Sequence, residues 1–216
     1  MESREESEDS QDSVAASEFL PSKGDIDGCR RCPLWQRATQ GVPGEGSADA
    51  RIILVGEQPG DEEDRQGKPF VGPAGRLLDR ALRDAKIPRS DIYVTNAVKH
   101  FGWVLRGKRR LHKKPLQRQV EACQGWLEAE IAALRPAVIV TLGATAIFAV
   151  AGRRIGVAEA RAAALVGANG ARIIATYHPS AMLRAVDDSR RDTLYRLLVA
   201  DLRRARDLAE TTAETI

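Results

Sequence analysis

The stretch RIILVGEQPGDEEDRQGKPFVGPAG, residues 51–75, decides the fold of this chain. It opens with four aliphatic residues, 52–55, that end at Gly56. A short run rich in β-branched side chains and closed by glycine is typical of a strand buried on both faces of a parallel sheet. Open sheets of this kind bind ligands in the loops that follow the carboxyl ends of their strands. Glu57 and Gln58 therefore stand where a ligand could bind. A plain strand-to-helix turn with a solvated Glu57 is the alternative, and composition alone favours it.

The second half of this stretch places an aromatic ring in a loop rich in glycine and proline. Phe70 is flanked by Lys68, Pro69 and Pro73. A rigid loop can present such a ring to a base, although a phenylalanine packed in the core is the commoner case. The stretch is neither a dinucleotide-binding fingerprint nor a phosphate-binding loop, so the residues alone leave both interpretations open.

The rest of the chain repeats the alternation of apolar strands and helices. Further apolar runs of the same kind lie at residues 92–95, 137–142 and 172–177. Helical spacing of apolar residues is found at 75–86, 120–134, 144–150 and from 188 onwards. Residues 152–171 show no strong period. The order predicts an α/β fold with a central parallel β-sheet and helices on both faces.

Three polar residues follow the ends of different predicted strands. Glu57 follows the first strand, Asn96 the second and His178 the last. Because the carboxyl ends of parallel strands meet at one edge of a sheet, these side chains are predicted to converge on one rim.

Length and composition favour a single folded domain. The chain has 216 residues, 43% of them hydrophobic, which is enough for one good-sized core. No apolar stretch approaches the roughly 20 residues that cross a bilayer, and the N-terminus lacks the apolar core of a signal peptide. We therefore expect a cytoplasmic protein without membrane association.

Charge divides the chain into an acidic tail and a basic body. Residues 1–20 carry seven carboxylates and one arginine, a balance of −6, so with an overall charge of +3 the remainder carries +9. A serine-rich acidic segment cannot bury enough apolar surface to fold. Residues 1–21 are therefore predicted to be disordered and residues 22–216 to form the domain. The basic body suits a polyanionic partner.

The segment 99–118 concentrates positive charge and contains no acid. Its basic residues are Lys99, Arg106, Lys108, Arg109, Arg110, Lys113, Lys114 and Arg118. Phe101 and Trp103 lie among them, and basic residues interleaved with aromatic rings are the combination that binds single-stranded nucleic acid. A solvated basic loop is the alternative. The absence of nearby acids favours nucleic acid.

The cysteines favour a metal site over disulfides. Cys29 and Cys32 have the spacing C-x2-C, which lets two thiolates face one ion or cluster. Cys123 is the third and last cysteine, on the inner face of a predicted helix. A site with four ligands needs one further donor.

Four motifs in order resemble the uracil-DNA glycosylase superfamily, and within it the family 4 group of iron-sulfur uracil-DNA glycosylases. They are GEQPG at 56–60, KPFVGPAGRLL at 68–78, TNAVKH at 95–100 and HPS at 178–180. The resemblance covers nearly everything from Cys29 to Leu208. It implies a uracil-DNA glycosylase-like domain that acts on uracil-containing DNA.

Three features depart from the family 4 pattern. Gln58 stands where that pattern has a small residue, His100 stands where it has cysteine, and GKRRLHKKP is inserted at 107–115. These features resemble UdgX, the branch of the superfamily that becomes covalently bonded to uracil-containing DNA through the histidine of its KRRIH-type loop. The resemblance implies that His112 is that histidine.

The same resemblance implies a cofactor. Its ligands would be Cys29, Cys32, His100 and Cys123, which would hold a [4Fe-4S] cluster. Coordination rules alone fit zinc equally well to three sulfurs and a nitrogen, so only the resemblance selects iron.

The resemblance also implies a pocket for the extruded uracil, formed by Gly56, Phe70, Asn96, His178 and Ser180. Phe70 would stack on the base and Asn96 would bond its polar edge, where an amide can distinguish uracil from cytosine. His178 would donate to uracil O2 as negative charge builds on the leaving base.

His112 is the implied nucleophile. Cleavage of the glycosidic bond leaves an oxocarbenium-like sugar carbon that an imidazole can trap in place of water. Glu57 would orient His112 and take its proton, and Gln58 and Asp61 would support the loop. Without the resemblance, an exposed histidine among lysines is the expected interpretation of His112.

The basic insertion would contact the DNA backbone through Lys108, Arg109, Arg110 and Lys113. Arg109 and Arg110 could instead hold the insertion against the acids of the first loop. The expected partner is uracil-containing DNA, with single strands preferred, and the expected state is a monomer. The alternatives are a turnover glycosylase that uses water, and a non-catalytic zinc-containing protein that binds nucleic acid.

Overall fold

The computed structural model of the protein describes residues 20–211. The predicted acidic tail, residues 1–21, lies outside the described residues except for Leu20 and Pro21. Leu20 is half-buried and packs against one of the core clusters.

The described residues form eight strands and eight helices. The strands are β1 Glu45–Gly46, β2 Ile52–Gly56, β3 Ile92–Asn96, β4 Trp103–Arg106, β5 Arg109–His112, β6 Val138–Leu142, β7 Leu165–Val166 and β8 Arg172–Thr176. The helices are α1 Lys23–Asp27, α2 Asp61–Gln66, α3 Pro73–Asp84, α4 Gln117–Leu134, α5 Ala144–Ala151, α6 Val157–Ala162, α7 Pro179–Leu183 and α8 Asp188–Thr211. Short 3-10 turns occupy Pro33–Gln36 and Arg89–Asp91. Within this described part, no helix is both long and apolar enough to span a bilayer.

The main sheet has the strand order β1-β3-β2-β6-β8-β7. The four strands in its centre pair in parallel, as predicted from their apolar runs. The prediction of a wholly parallel sheet is wrong at the edges, where β1 and β7 pair antiparallel. Each of these strands has only two residues, too few to give a periodic signal in the sequence. Both α6 and β7 lie in residues 152–171, where no regular structure was expected.

The core lies on both faces of the sheet because the side chains of each strand alternate between faces. Leu54, Val94 and Val140 pack on one face with residues of α3 and α8. Ile53, Val55 and Ile139 pack on the other face with residues of α4. Every residue of β2, β3 and β6 is buried, which confirms that these runs are strands covered on both sides.

A separate hairpin of β4 and β5 stands over the carboxyl edge of the sheet. Trp103 pairs with His112 and Arg106 with Arg109, and the two-residue turn contains Gly107 with φ 61°. The sequence predicted a loop here, because the density of basic residues hid two short strands separated by a glycine-containing pair. The hairpin fixes the position of its last residue, His112, relative to the sheet.

Candidate active site

Glu57 and Asn96, two of the three polar residues at the strand ends, are brought together by the backbone of neighbouring loops. The amide of Ala97 donates to the carbonyl of Gly56 over 3.0 Å, and the amide of Val98 donates to that of Glu57 over 3.0 Å. These bonds hold the loop after β3 against the loop after β2. The sheet therefore supports one rim, as expected for parallel strands that end at the same level.

The backbone at Gly56 is closely packed by two side chains. A Cβ atom at this position would lie 2.6 Å from Phe70 Cζ and would overlap Asn96 Oδ1. Asn96 is 3% exposed and Phe70 is 6% exposed. The absence of a side chain at Gly56 is what allows the Asn96 amide and the Phe70 ring to lie against its backbone.

The loop that carries Phe70 is held in an unusual conformation. Phe70 has φ 56°, a left-handed backbone that bulky residues seldom adopt. Its carbonyl lies where a Cβ of Gly75 would be, so a glycine is required there. Glu63 joins this loop to the first one, since its carboxylate accepts from the amides of Gly60 at 3.0 Å and Gly72 at 2.9 Å. The motifs did not single out Glu63, although an acid three residues after a helix start is a known capping signal.

His178 faces the Phe70 ring with its centroid 6.1 Å away. The amide of Ser180 donates to His178 Nδ1 over 3.1 Å, and the Ser180 hydroxyl lies 2.8 Å from the same atom. Because Nδ1 accepts a hydrogen bond from the Ser180 amide, the neutral ring carries its hydrogen on Nε2. Burial lowers the pKa of His178 to about 4, so the ring is neutral at physiological pH. His178 can therefore donate one hydrogen bond from Nε2.

Glu57 and His112 form the closest pair of ionisable groups on the rim. His112 Nε2 lies 3.2 Å from Glu57 Oε1, and the side chains are 47% and 21% exposed. Burial raises the pKa of Glu57, but hydrogen bonds from His112 and Thr145 outweigh that effect and bring the pKa below its ordinary value. The carboxylate is thus ionised and can accept a proton from the imidazole. Thr145 was not identified from the sequence, because no motif contains it.

Gln58 holds the two ends of the hairpin. Its Nε2 donates to the carbonyls of Gly102 at 3.0 Å and Lys113 at 3.1 Å, and its Oε1 accepts from the amide of Gly102 at 3.2 Å. Gln58 is 6% exposed. Gln58 thus holds Lys113, the residue next to His112, and its supporting role at the site stays a prediction.

Arg110 holds the hairpin from its other side. It donates to Asp61 over 2.5 Å and to Asp64 over 2.6 Å, and Asp64 is fully buried. Of the two roles predicted for Arg110, the structure places it against the acids near the first loop. Lys108, Arg109 and Lys113 are exposed.

Several residues of the basic segment have different surroundings from those predicted. Lys99 is fully buried and bonds Glu130 over 2.7 Å, so it cannot reach a phosphate. Phe101 is 1% exposed, and its ring centroid lies 6.4 Å from that of His112. Trp103 carries the Arg37 guanidinium 4.2 Å above its ring. Residues distant in sequence contact these side chains: Glu130 pairs with Lys99, and Arg37 stacks on Trp103. The absence of acids within the segment gave no sign of these contacts.

The predicted cluster ligands come from three segments that contact one another. Cys29 and Cys123 are buried, Cys32 is half-buried and His100 is 3% exposed. The thiol of Cys123 donates to the sulfur of Cys32, which lowers the pKa of Cys32 and raises that of Cys123. Burial lowers the pKa of His100, so its ring is a neutral donor.

The chemistry of these donors fits an iron-sulfur cluster, with thiolates and one neutral imidazole in a buried setting. Among residues 20–211, no three side chains of His, Cys, Asp or Glu are grouped around the position of a single metal ion. Ligands of a cluster of several irons are spread more widely than ligands of one ion.

Comparisons with known proteins identify the family of this chain. Residues 43–203 match the family described as "Uracil DNA glycosylase superfamily". The chain is 39% identical over 179 residues to "Type-4 uracil-DNA glycosylase" of Thermotoga maritima, covering 82% of this chain and 88% of the relative. It is 32% identical over 197 residues to the protein of the same name from Sulfurisphaera tokodaii, covering 88% and 84%. The relative so named from Pyrobaculum aerophilum is 36% identical over 166 residues, covering 74% and 81%. This chain therefore belongs to the uracil DNA glycosylase superfamily.

Proposed function

We propose that this protein excises uracil from DNA and becomes attached through His112 to C1′ of the deoxyribose that it has exposed. The observation that carries the proposal is the pairing of His112 Nε2 with Glu57 Oε1 at 3.2 Å, on the rim that also holds the pocket of Gly56, Phe70 and Asn96. A base and a nucleophile at hydrogen-bond distance are the usual signature of covalent catalysis.

Recognition of uracil is assigned to three side chains. Phe70 provides the stacking surface, and the Asn96 amide bonds the polar edge of the base. His178 donates from Nε2 to uracil O2, for which its neutral state and its bond from the Ser180 amide are suited. A preorganised donor of this kind typically accelerates a reaction by about 100-fold or more.

The bond-forming step conserves atoms and charge. The C1′–N1 bond breaks, and its electron pair leaves with the uracil anion while His178 donates to O2. Glu57 Oε1 takes the proton from His112 Nε2, and the freed lone pair forms a bond to C1′. The displaced proton finally resides on the released uracil. Water cannot easily reverse a carbon–nitrogen bond, so each protein molecule acts once.

The hairpin explains why an imidazole would replace water. Gln58 fixes both hairpin ends and Arg110 fixes its second strand, so the His112 side chain has a defined place over the rim. Positioning of this precision is what converts a nearby group into an efficient nucleophile.

We infer that Cys29, Cys32, His100 and Cys123 hold a [4Fe-4S] cluster. The cluster would join the N-terminal turn, the segment before the hairpin and α4, and would thereby support the site without redox work. Iron and sulfide in equal amounts in the purified protein would support the cluster, whereas zinc would favour the alternative of a zinc-containing binding protein.

We assign contact with the DNA backbone to the exposed basic residues Lys108, Arg109 and Lys113. Lys108 and Arg109 lie at the hairpin turn and Lys113 follows the end of β5, and exposed basic side chains such as these bind phosphates. A single strand is the preferred substrate because its bases need no unpairing before they enter the pocket. The monomeric state and the cytoplasmic location stay predictions from the sequence.

One incubation separates this proposal from its alternatives. The purified protein is mixed with single-stranded DNA that contains one uracil, and the products are analysed by denaturing electrophoresis and by measurement of free uracil. We expect a band of protein bound to DNA that resists heat and detergent, with one uracil released per protein molecule. Many uracils per protein and no such band would show a turnover glycosylase with water as nucleophile. Intact DNA would show a binding protein.

The base pocket gives a prediction of its own. Gly56→Ala places a Cβ against Phe70 and Asn96, and because both are packed and buried, they must move apart. We expect uracil release to fall by about 100-fold or more, since small displacements in a site have effects of this size. Rates of uracil release in a single turnover measure it. Gly156→Ala is the control for a general effect of adding a methyl group, because nothing lies within 4 Å of its Cβ position and its φ of −69° suits alanine. Release by Gly56→Ala at the wild-type rate would refute the pocket.

A further inference from the structure

The two oxygens of the Glu57 carboxylate have different partners. Oε1 faces His112 Nε2 at 3.2 Å, and Oε2 accepts a hydrogen bond from the Thr145 hydroxyl. Thr145 stands 88 residues further along the chain, outside every motif quoted above. We propose that Thr145 is a positioning residue that fixes the carboxylate of Glu57 for its action on His112, an inference that rests on the function proposed above.

Thr145 belongs to a rigid part of the fold. It is the second residue of α5, which begins directly after β6, and it is 8% exposed. Its neighbours Ala146 and Ile147 are fully buried. A threonine on a helix has two common rotamers, and the one present here directs the hydroxyl at Glu57.

The Glu57 carboxylate depends on such a partner because it lies on a loop and ends in a torsion with a broad, two-fold preference. With Oε2 held by Thr145, rotation about that torsion is restricted and Oε1 remains directed at His112. Without the hydroxyl, the carboxylate can turn away from the imidazole. In a fraction of the molecules, Glu57 Oε1 would then no longer be placed to take the proton from His112.

The hydrogen bond also affects the ionisation of Glu57. Burial raises the pKa of this carboxyl, and the bonds from His112 and Thr145 oppose burial and lower it. The titratable groups that face Glu57 are His112 from β5 and His178 from the start of α7. Without the hydrogen bond from Thr145, the effect of burial on the pKa of Glu57 is less fully compensated. The pKa of Glu57 then rises, and the carboxylate becomes protonated at a higher pH.

Three variants of the full-length protein test the role of Thr145. Thr145→Val removes the hydroxyl and keeps the shape, whereas Thr145→Ser keeps the hydroxyl. Thr141→Val is the matched control, because Thr141 is a fully buried threonine on β6 whose hydroxyl has no partner in the described part of the chain. Uracil release and adduct formation are followed in a single turnover on single-stranded uracil DNA, from acid to neutral pH.

We expect Thr145→Val to slow uracil release and adduct formation by roughly 10- to 100-fold, and to move the acidic limb of the pH profile to higher pH. Thr145→Ser and Thr141→Val should keep the wild-type rate and profile. A wild-type profile in Thr145→Val would overturn the role of Thr145 alone. Equal losses in Thr145→Val and Thr141→Val, or no recovery in Thr145→Ser, would assign Thr145 to packing and overturn it as well. A wild-type protein that released no uracil would overturn both this inference and the proposed function.

Discussion

His112→Ala will form no heat-resistant band with uracil-containing single-stranded DNA, whereas the wild-type protein will convert it nearly completely. The reason is that the variant removes the only imidazole paired with Glu57 on the hairpin side of the rim. The pocket of Phe70, Asn96 and His178 is untouched, so the base can still be bound and its departure still assisted. Denaturing electrophoresis of the two proteins at equal concentration measures the difference.

The fate of the base gives a second measurement on the same variant. Water can reach C1′ in the space that the imidazole leaves, so we expect slow release of uracil without attachment. Lys114→Ala is the control, because Lys114 is an exposed neighbour on the same segment and should leave the band intact. A heat-resistant band formed by His112→Ala would exclude His112 as the point of attachment and with it the covalent mechanism.

Glu130→Leu will lower the free energy of unfolding by about 3–5 kcal/mol, as is typical when one partner of a buried ion pair is removed. Lys99 and Glu130 are both fully buried, with Nζ and Oε2 2.7 Å apart. All three donors of the Lys99 ammonium are used, since it also bonds Thr95 Oγ1 at 2.6 Å and the carbonyl of Asn96 at 3.0 Å. Removal of the carboxylate leaves a positive charge in a dry interior. Urea unfolding measures the loss.

Two further variants assign that loss to the buried charge. Lys99→Met combined with Glu130→Leu removes both charges, and we expect it to be more stable than Glu130→Leu alone. Lys68→Met breaks an exposed ion pair, in which the Lys68 side chain is 61% exposed and the Glu45 side chain 51%. This variant should change the free energy of unfolding by about 1 kcal/mol or less. Equal stability of Glu130→Leu and Lys68→Met would contradict the prediction.

The local sequence was sufficient for the strands that build the rim. Residues 52–55, 92–95 and 137–142 are short apolar runs, and a strand buried on both faces must have apolar side chains on both sides of its pleat. Once these runs are strands of one parallel sheet, Glu57, Asn96 and His178 must meet at their carboxyl ends. The motifs at 68–78 and 178–180 add the Phe70 ring and the Ser180 contact, which the structure places beside that rim.

The sequence was less informative about the basic segment. Its charges suggested a solvated or DNA-binding loop, but Lys99 and Arg110 are neutralised by Glu130, Asp61 and Asp64 from other parts of the chain. A local window contains none of these acids. The hairpin itself was missed because its two strands have only four residues each and carry apolar and basic residues without the alternation that identifies a strand.

Sequence alone thus determined the parallel centre of the sheet and the types of side chain that follow its strands, because each depends on patterns within a few neighbouring residues. Only the tertiary structure decided which groups work together. The bond from Thr145 to Glu57, the hold of Gln58 on both hairpin ends and the burial of Lys99 join residues that are tens of positions apart. Such contacts depend on how the helices and the hairpin pack on the sheet. The periodicity of a local sequence window therefore cannot predict them.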